Sequence, residues 1–372
     1  MLIGVPKEIK VQEYRVGLVP ENVRELVSRG HEVMVEVGAG IGISSATDEH
    51  YLAAGATIAH SAQELFKSAE LIVKVKEPQA IERQWLQSGQ MLFTYLHLAP
   101  DPQQAIDLID SGASCIAYET VTGHGGLPLL APMSEVAGRL AVQAGAYFLE
   151  KAHGGLGILL GGIPGVEPAM VTVLGGGVVG VHAIDVALGM GANVTVLDRN
   201  IDVLHKLQKQ FGHRLHTVSS TADAIEQYCV MADLVIGAVL IPGAFAPKLI
   251  TREIVSRMKS GSVIVDVAID QGGCCETAHP TTHDAPTYLV DGVIHYCVAN
   301  MPGSVPRTST YALNNATLPY VVALADKSLQ ALRDDKDLRN GLNIHQGKVT
   351  NLPVATALGF AFHAPAEVLG ML

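Results

Sequence analysis

Short apolar runs alternate with helical stretches along most of the chain. Runs that predict strands fall near 2–6, 31–37, 71–75, 90–95 and 114–118, with helices expected near 20–29, 61–68 and 102–111. This alternation is the rhythm of βαβ units, which build parallel sheets. The stretch 134–152 predicts one long helix with Ser134 as its N-cap. A Gly- and Pro-rich stretch, 154–168, follows and looks like a crossover between domains. A second series starts at 171–174, with further strands expected near 193–197, 215–219, 233–239, 262–267 and 293–298. Another long helix is predicted over 309–327, and the charged segment 333–339 should be a solvated surface. The last ~40 residues are too few for a domain of their own. They are expected to return to the first domain, making it discontinuous: 1–130 plus 306–372, with 131–305 between.

Composition narrows the partners. The chain has 372 residues, comfortable for two domains, and 48% are hydrophobic, enough for a sizeable core. Acidic residues outnumber basic ones 36 to 25, so phosphate-rich nucleic acid is a poor partner. The mean hydropathy of +0.29 raises the question of a membrane. The most apolar region, 154–197, is broken by Pro164, Glu167, Pro168, Asp185 and many glycines, and reads as buried core rather than a span. The N-terminus lacks a basic segment followed by an apolar run, so no signal peptide is expected. Five scattered cysteines contain no C-x-x-C, and adjacent Cys274 and Cys275 are badly spaced to converge on a metal. Reduced cytosolic thiols and no metal are the expectation.

Val171-Thr-Val-Leu-Gly175-Gly176-Gly177-Val178-Val179-Gly180 carries G-x-G-x-x-G directly after an apolar strand, with a helical run over 178–190 behind it. Gly175 permits a tight turn, Gly177 lets a pyrophosphate approach the backbone, and Gly180 lets the helix pack on the strand. The helix N-terminus then faces the phosphates. The next strand ends at Asp198, eighteen residues past Gly180, where a carboxylate can hold ribose hydroxyls. A glycine-rich turn in a tight sheet would explain the glycines alone. Strand, helix and acidic residue together favour a nucleotide, and Asp198 favours NAD because it repels a 2′-phosphate. Arg199, next to it, leaves an opening for NADP.

Ligands gather at the carboxyl ends of strands in open α/β sheets. Arg15 lies in the loop after strand 2–6, Lys76 ends strand 71–75, His97 closes 93–96, and Asp270 follows strand 262–267. Each has a plain alternative. Arg15 and Lys76 could be surface charges, His97 a structural histidine and Asp270 a turn cap before Gly272-Gly273. The expected architecture is α/β: two doubly wound parallel-sheet domains, a Rossmann nucleotide domain and a discontinuous Rossmann-like substrate domain, with a cleft between them.

Six segments resemble the L-alanine dehydrogenases, in order along nearly the whole chain. They are Lys7-Glu8 through Glu13-Tyr14-Arg15-Val16, Val73-Lys74-Val75-Lys76-Glu77-Pro78, Leu96-His97-Leu98, Leu129 to Gly138, Asp266 to Gly273, and Val298-Ala299-Asn300-Met301-Pro302. The resemblance implies oxidative deamination of L-alanine to pyruvate and ammonia with NAD, in a cytoplasmic homohexamer. It implies Arg15 and Lys76 as substrate-binding residues and His97 and Asp270 as the catalytic pair. It also implies cofactor contacts at Ser134, Val178, Val179, Asp198, Ser220, Val239, Leu240, Val267, Ala268, Ile269, Asp270, Val298, Ala299, Asn300 and Met301. Two departures stand out: Val203 and His279 occupy places where relatives carry basic residues.

These residue types suit that chemistry. Arg15 has a planar fork that matches a carboxylate, and Lys76 can stabilise a developing carbonyl oxygen. His97 carries an imidazole, the side chain most often used for general acid–base work, and Asp270 can orient water or the amino group. Two other readings compete. A transhydrogenase nucleotide-binding subunit shares much of the pattern but passes hydride to a second nucleotide. A catalytically silent NAD-binding protein would be expected to have lost the acid–base residues.

Overall fold

The computed structural model describes residues 1–123, 125–239 and 246–371. Its strands, in chain order, are β1 (Leu2–Val5), β2 (Glu32–Glu36), β3 (Thr57–Ala59), β4 (Leu71–Val73), β5 (Met91–Thr94), β6 (Ser114–Ala117), β7 (Met170–Leu174) and β8 (Asn193–Asp198). They continue with β9 (Leu215–Ser219), β10 (Leu234–Gly237), β11 (Val263–Asp266), β12 (Thr287–Val290), β13 (Val293–Tyr296), β14 (Leu342–His345) and β15 (Lys348–Val349). The chain divides into two compact units: Met1–Met133 with Val305–Leu372, and Ser134–Ser304.

The first unit holds a sheet in the order β15-β14-β6-β5-β4-β1-β2-β3. From β6 to β3 every pair is parallel, while β14 runs antiparallel to β6 and β15 antiparallel to β14. The middle strands β4, β5 and β6 are buried at every position. That is why they read as unbroken apolar runs, for helices cover both faces of such a sheet. Local signals place those helices. Ser61 and Asp101 cap the starts of Ala62–Ser68 and Pro102–Ser111 by accepting N–H bonds from Glu64 and Gln104. The C-terminal segment extends the sheet rather than making one of its own.

The second unit holds the order β12-β13-β11-β10-β7-β8-β9, parallel except for β12 on β13. Both sheets are thus mixed at one edge and parallel elsewhere. The sequence pattern does not reveal β3, β12, β14 or β15. These strands are two to four residues long, and all four carry exposed or polar positions that blur the apolar run.

Two long helices depart from expectation. The first spans Ala131–Phe148, so Ser134 lies inside its first turn and is not its cap. Pro132 marks the true start, because a first-turn residue needs no N–H donor. The helix ends at Phe148 instead of 152. Gly155 folds back so closely that a Cβ there would meet the Phe148 carbonyl oxygen at 2.3 Å. The second helix starts at Pro306 and ends at Lys327. Its buried Asn314 donates to the Val16 carbonyl at 3.2 Å and accepts from the Val19 N–H at 2.8 Å. Thr310 on the same helix accepts the Val16 N–H at 3.3 Å. The residue after Arg15 is therefore pinned at both backbone groups by a helix almost 300 positions away. The segment 333–339 is mostly exposed, with Leu338 turned into the core.

Candidate active site

In the first unit β1, β4 and β5 are neighbours, and Arg15, Lys76 and His97 follow their carboxyl ends. Adjacent parallel strands deliver these three residues to one rim. Tyr95 is the hub. Its backbone N–H donates to the Val75 carbonyl, and its ring stacks on His97 with centroids 5.7 Å apart and planes 6° apart. Its hydroxyl donates to the Leu129 carbonyl. Burial pushes the Tyr95 phenol well up, partly offset by the positive charge of Arg15, so it stays a neutral donor.

Arg15 is 2% exposed. Its Nε and Nη2 donate to Oε1 and Oε2 of buried Glu13, both at 2.6 Å, and Nη1 lies 3.0 Å from the Met133 sulfur. Burial works against the guanidinium charge, but the paired bonds from Glu13 outweigh it and hold Arg15 ionised. One edge of the planar fork is thus locked in place by a carboxylate two residues earlier.

Lys76 is set by a buried ion triad. Lys74 donates to Glu82 at 2.8 Å and Glu8 at 3.2 Å, all three side chains being at most 2% exposed. Glu8 also accepts the N–H groups of Val75 (2.7 Å) and Lys76 (3.3 Å), and Glu82 accepts that of Gln79 (2.6 Å). Both carboxylates therefore grip the backbone of 75–79. His97 sits at φ +48°, in the left-handed region. Glu119 accepts its N–H at 2.6 Å and that of Leu96 at 3.2 Å. The supporting residues Glu8, Glu13, Tyr95 and Glu119 were not singled out from the sequence. The Glu8–Lys76 and Glu119–His97 contacts join positions 68 and 22 residues apart.

In the second unit the glycine turn follows β7 and leads into the helix Val178–Gly189. Gly175 has φ +100°, and a Cβ at Gly180 would stand 1.9 Å from the Gly175 carbonyl oxygen, so both positions demand glycine from packing alone. Gly177 is different: a Cβ there would meet nothing within 4 Å among the described residues. That clearance lies at the N-cap of the helix, where a pyrophosphate would need it. The Asp198 carboxylate accepts the N–H of Gly176 and of Asn200, each at 2.7 Å. It therefore fixes the turn and keeps lone pairs for hydroxyl donors.

Val239, Val267–Asp270 and Val298–Met301 follow the carboxyl ends of β10, β11 and β13, and the Ser220 N–H donates to the Asp198 carbonyl at 3.0 Å. Ser134 is one turn ahead of Gly138, where a Cβ would meet the Val179 carbonyl oxygen at 2.2 Å; the two helices touch there. Leu240 lies outside the described residues. Val203 packs beneath Gly176 with apolar contact, and His279 stacks on Tyr288 with centroids 3.7 Å apart. Asp270 is exposed on a short turn, and its Oδ1 lies 3.4 Å from the N–H of Asn300. Among the described residues no group of three or more His, Cys, Asp or Glu could hold a metal. Nor is any described helix long and apolar enough to cross a membrane.

Two α/β units, a glycine turn with room for a backbone-hugging group at Gly177 and a strand-ending aspartate define a Rossmann-type nucleotide-binding oxidoreductase class. The alanine dehydrogenase/PNT N-terminal domain model matches residues 4–137 and the corresponding C-terminal domain model matches 141–352, so the chain belongs to this family. It is 61% identical to an alanine dehydrogenase of Halomonas elongata, over the full length of both. It is 54% identical to one of Mycobacterium tuberculosis, over 99% of this chain and 100% of that one. A solved L-alanine dehydrogenase matches at TM-score 0.94 and 52% identity, covering 96% of this chain and 99% of that one. The transhydrogenase of Sinorhizobium meliloti matches at 0.81 and 26%, covering 95% and 99%.

Proposed function

We propose that this protein is an NAD-dependent dehydrogenase that converts L-alanine and water to pyruvate and ammonium, reversibly. One observation carries the reading: a cationic pair, Arg15 and Lys76, stands beside His97 on one rim, held by buried carboxylates. Full-length identity to alanine dehydrogenases supports it.

Bound NAD supplies the acceptor for the hydride that leaves the α-carbon. Its pyrophosphate belongs at Gly175–Gly180 and its adenosine ribose at Asp198. Ser134, Ser220, Val239, Leu240 and the 267–270 and 298–301 segments complete that contact set. Arg15 holds the substrate carboxylate with the fork that Glu13 orients. Lys76 donates to the carboxylate and to the oxygen at the α-carbon. His97 takes the proton released when water adds at the imine carbon, and returns it as ammonia leaves. Asp270 orients that water. The resemblance also points to a homohexamer in the cytoplasm.

The decisive experiment is NADH formation with L-alanine and NAD+ as sole substrates. Turnover supports the dehydrogenase. A transhydrogenase subunit would need a second nucleotide, and a silent binding protein would bind NADH without turnover; either result overturns the reading.

A further inference from the structure

Asp266 ends β11 and is completely buried, yet carries no part of the proposed chemistry. Its Oδ1 accepts the N–H of Ala268 at 3.1 Å, while Oδ2 accepts those of Cys274 at 2.8 Å and Cys275 at 3.1 Å. These donors lie at the two feet of one excursion. The chain leaves β11 into a 3-10 turn, Val267–Gln271, and returns through Gly272 and Gly273, both left-handed at φ +87° and +76°. Ala268 and Ile269 point inward, and Asp270 is the exposed tip.

Space has been cleared for this carboxylate. A Cβ on Gly273 would stand 2.8 Å from Oδ2, and one on Gly237, at the end of β10, would stand 3.1 Å from Oδ1. Lys248 braces the returning strand from outside by donating to the carbonyls of Gly272 (2.5 Å) and Cys275 (3.0 Å).

A buried carboxylate is costly, and burial pushes the Asp266 carboxyl up against the pull of the Cys275 and Cys274 N–H groups. A neutral asparagine of the same shape would do the packing without a charge. It would also turn an NH2 toward one foot of the loop, donor against donor, and that foot would detach. The arrangement needs acceptors at both ends, and only the ionised acid supplies them.

We propose that Asp266 is a positioning residue that staples both feet of the 267–275 loop and thereby sets where the Asp270 carboxylate stands. This rests on the role given to Asp270 above.

The test compares D266N with D270N and the unmodified enzyme. The readouts are kcat, KM for L-alanine, NADH binding, thermal midpoint and amide exchange across 267–275. D266N is expected to lose ~10²-fold in kcat, the scale of an ångström-sized misplacement. Its KM for L-alanine, assigned to Arg15 and Lys76, should stay within about threefold, the ratio expected when carboxylate binding is untouched. The amides of Ala268, Cys274 and Cys275 should lose protection while the strands keep theirs. A merely structural residue would lower the midpoint and leave kcat per folded molecule unchanged, and that result overturns the proposal. A slow D266N beside a fully active D270N overturns the claim that Asp266 acts through Asp270. Wild-type turnover in both overturns the Asp270 role as well. If D266N does not fold, Gly273→Ala presses a methyl against Oδ2 with the charge intact. Wild-type kcat in that variant overturns the staple.

Discussion

The carboxylate of Glu119 takes the backbone N–H of His97 at 2.6 Å and faces its Nδ1 at 3.9 Å. His97 is one of six non-glycine residues at positive φ among the described residues, a conformation that costs of order 1 kcal/mol or more and needs outside support. Glu119 supplies it by accepting two successive N–H groups, while the Tyr95 ring covers the imidazole. Glu119→Ala should therefore let the turn relax and lower kcat by ~10²-fold, the lower end of the range for a misplaced acid–base group. Circular dichroism should show a folded protein. Unchanged kcat would mean that His97 holds its place without Glu119.

Arg15 and Glu13 form a two-pronged pair whose geometry an ammonium cannot reproduce. Arg15→Lys keeps the charge, yet loses the fork toward Glu13 and toward a substrate carboxylate. kcat/KM for L-alanine should fall by ~10²-fold, as expected for lost charge-assisted hydrogen bonds. Affinity for NADH, measured by fluorescence, should stay unchanged. Near-normal KM would remove Arg15 from the clamp.

Asp198 has two tasks, holding the Gly176 N–H and offering acceptors to a ribose diol. Asp198→Ala should weaken NAD+ and narrow the preference over NADP+. Its effect on NAD+ should exceed that of one ribose hydrogen bond, because the glycine turn loosens too. Equal use of both cofactors by the unmodified protein would sink the assignment.

All five cysteines are unpaired and buried. Burial alone pushes the Cys115 thiol up to about 12, and it is the leading cause for Cys229 and Cys297, which also stand at about 12. Desolvation disfavours the thiolate, so raising pH by a unit or two from neutrality should not ionise them. Thiol-reagent labelling of the native protein should stay slow and nearly flat between about pH 7 and 9, around the reference thiol pKa. In denaturant it should rise steeply across the same range. A fast native thiol with a pH-dependent rate would contradict the burial.

His97 and Asp270 are assigned to the same proton transfers. His97→Ala and Asp270→Asn should each reduce kcat by ~10² to 10⁴-fold. The double variant should then lose far less than the product of the single losses, as members of one catalytic unit do. The pH profile of kcat/KM should lose a limb in His97→Ala. Multiplicative losses, or an unaltered profile, would separate the two residues.

Local rules of spacing made much of this protein readable without coordinates. Eleven strands and the glycine turn at Gly175–Gly180 follow from apolar runs and steric demands that act within a few residues. The positions of Arg15, Lys76 and His97 at strand ends follow from the same periodicity. Contacts between distant positions were beyond that reach. Nothing near Val16 announces that Thr310 and Asn314 will pin it, and nothing near His97 points to Glu119. Ser134 has the chemistry of a cap, yet the helix starts at Ala131 with Pro132 second, which places the serine in its first turn. The strands β14 and β15 are too short to declare themselves and exist because β6 offers an unpaired edge. Backbone conformation is governed by neighbours in the chain, whereas the placement of a buried charge depends on which partners the folded sheet brings within hydrogen-bonding distance.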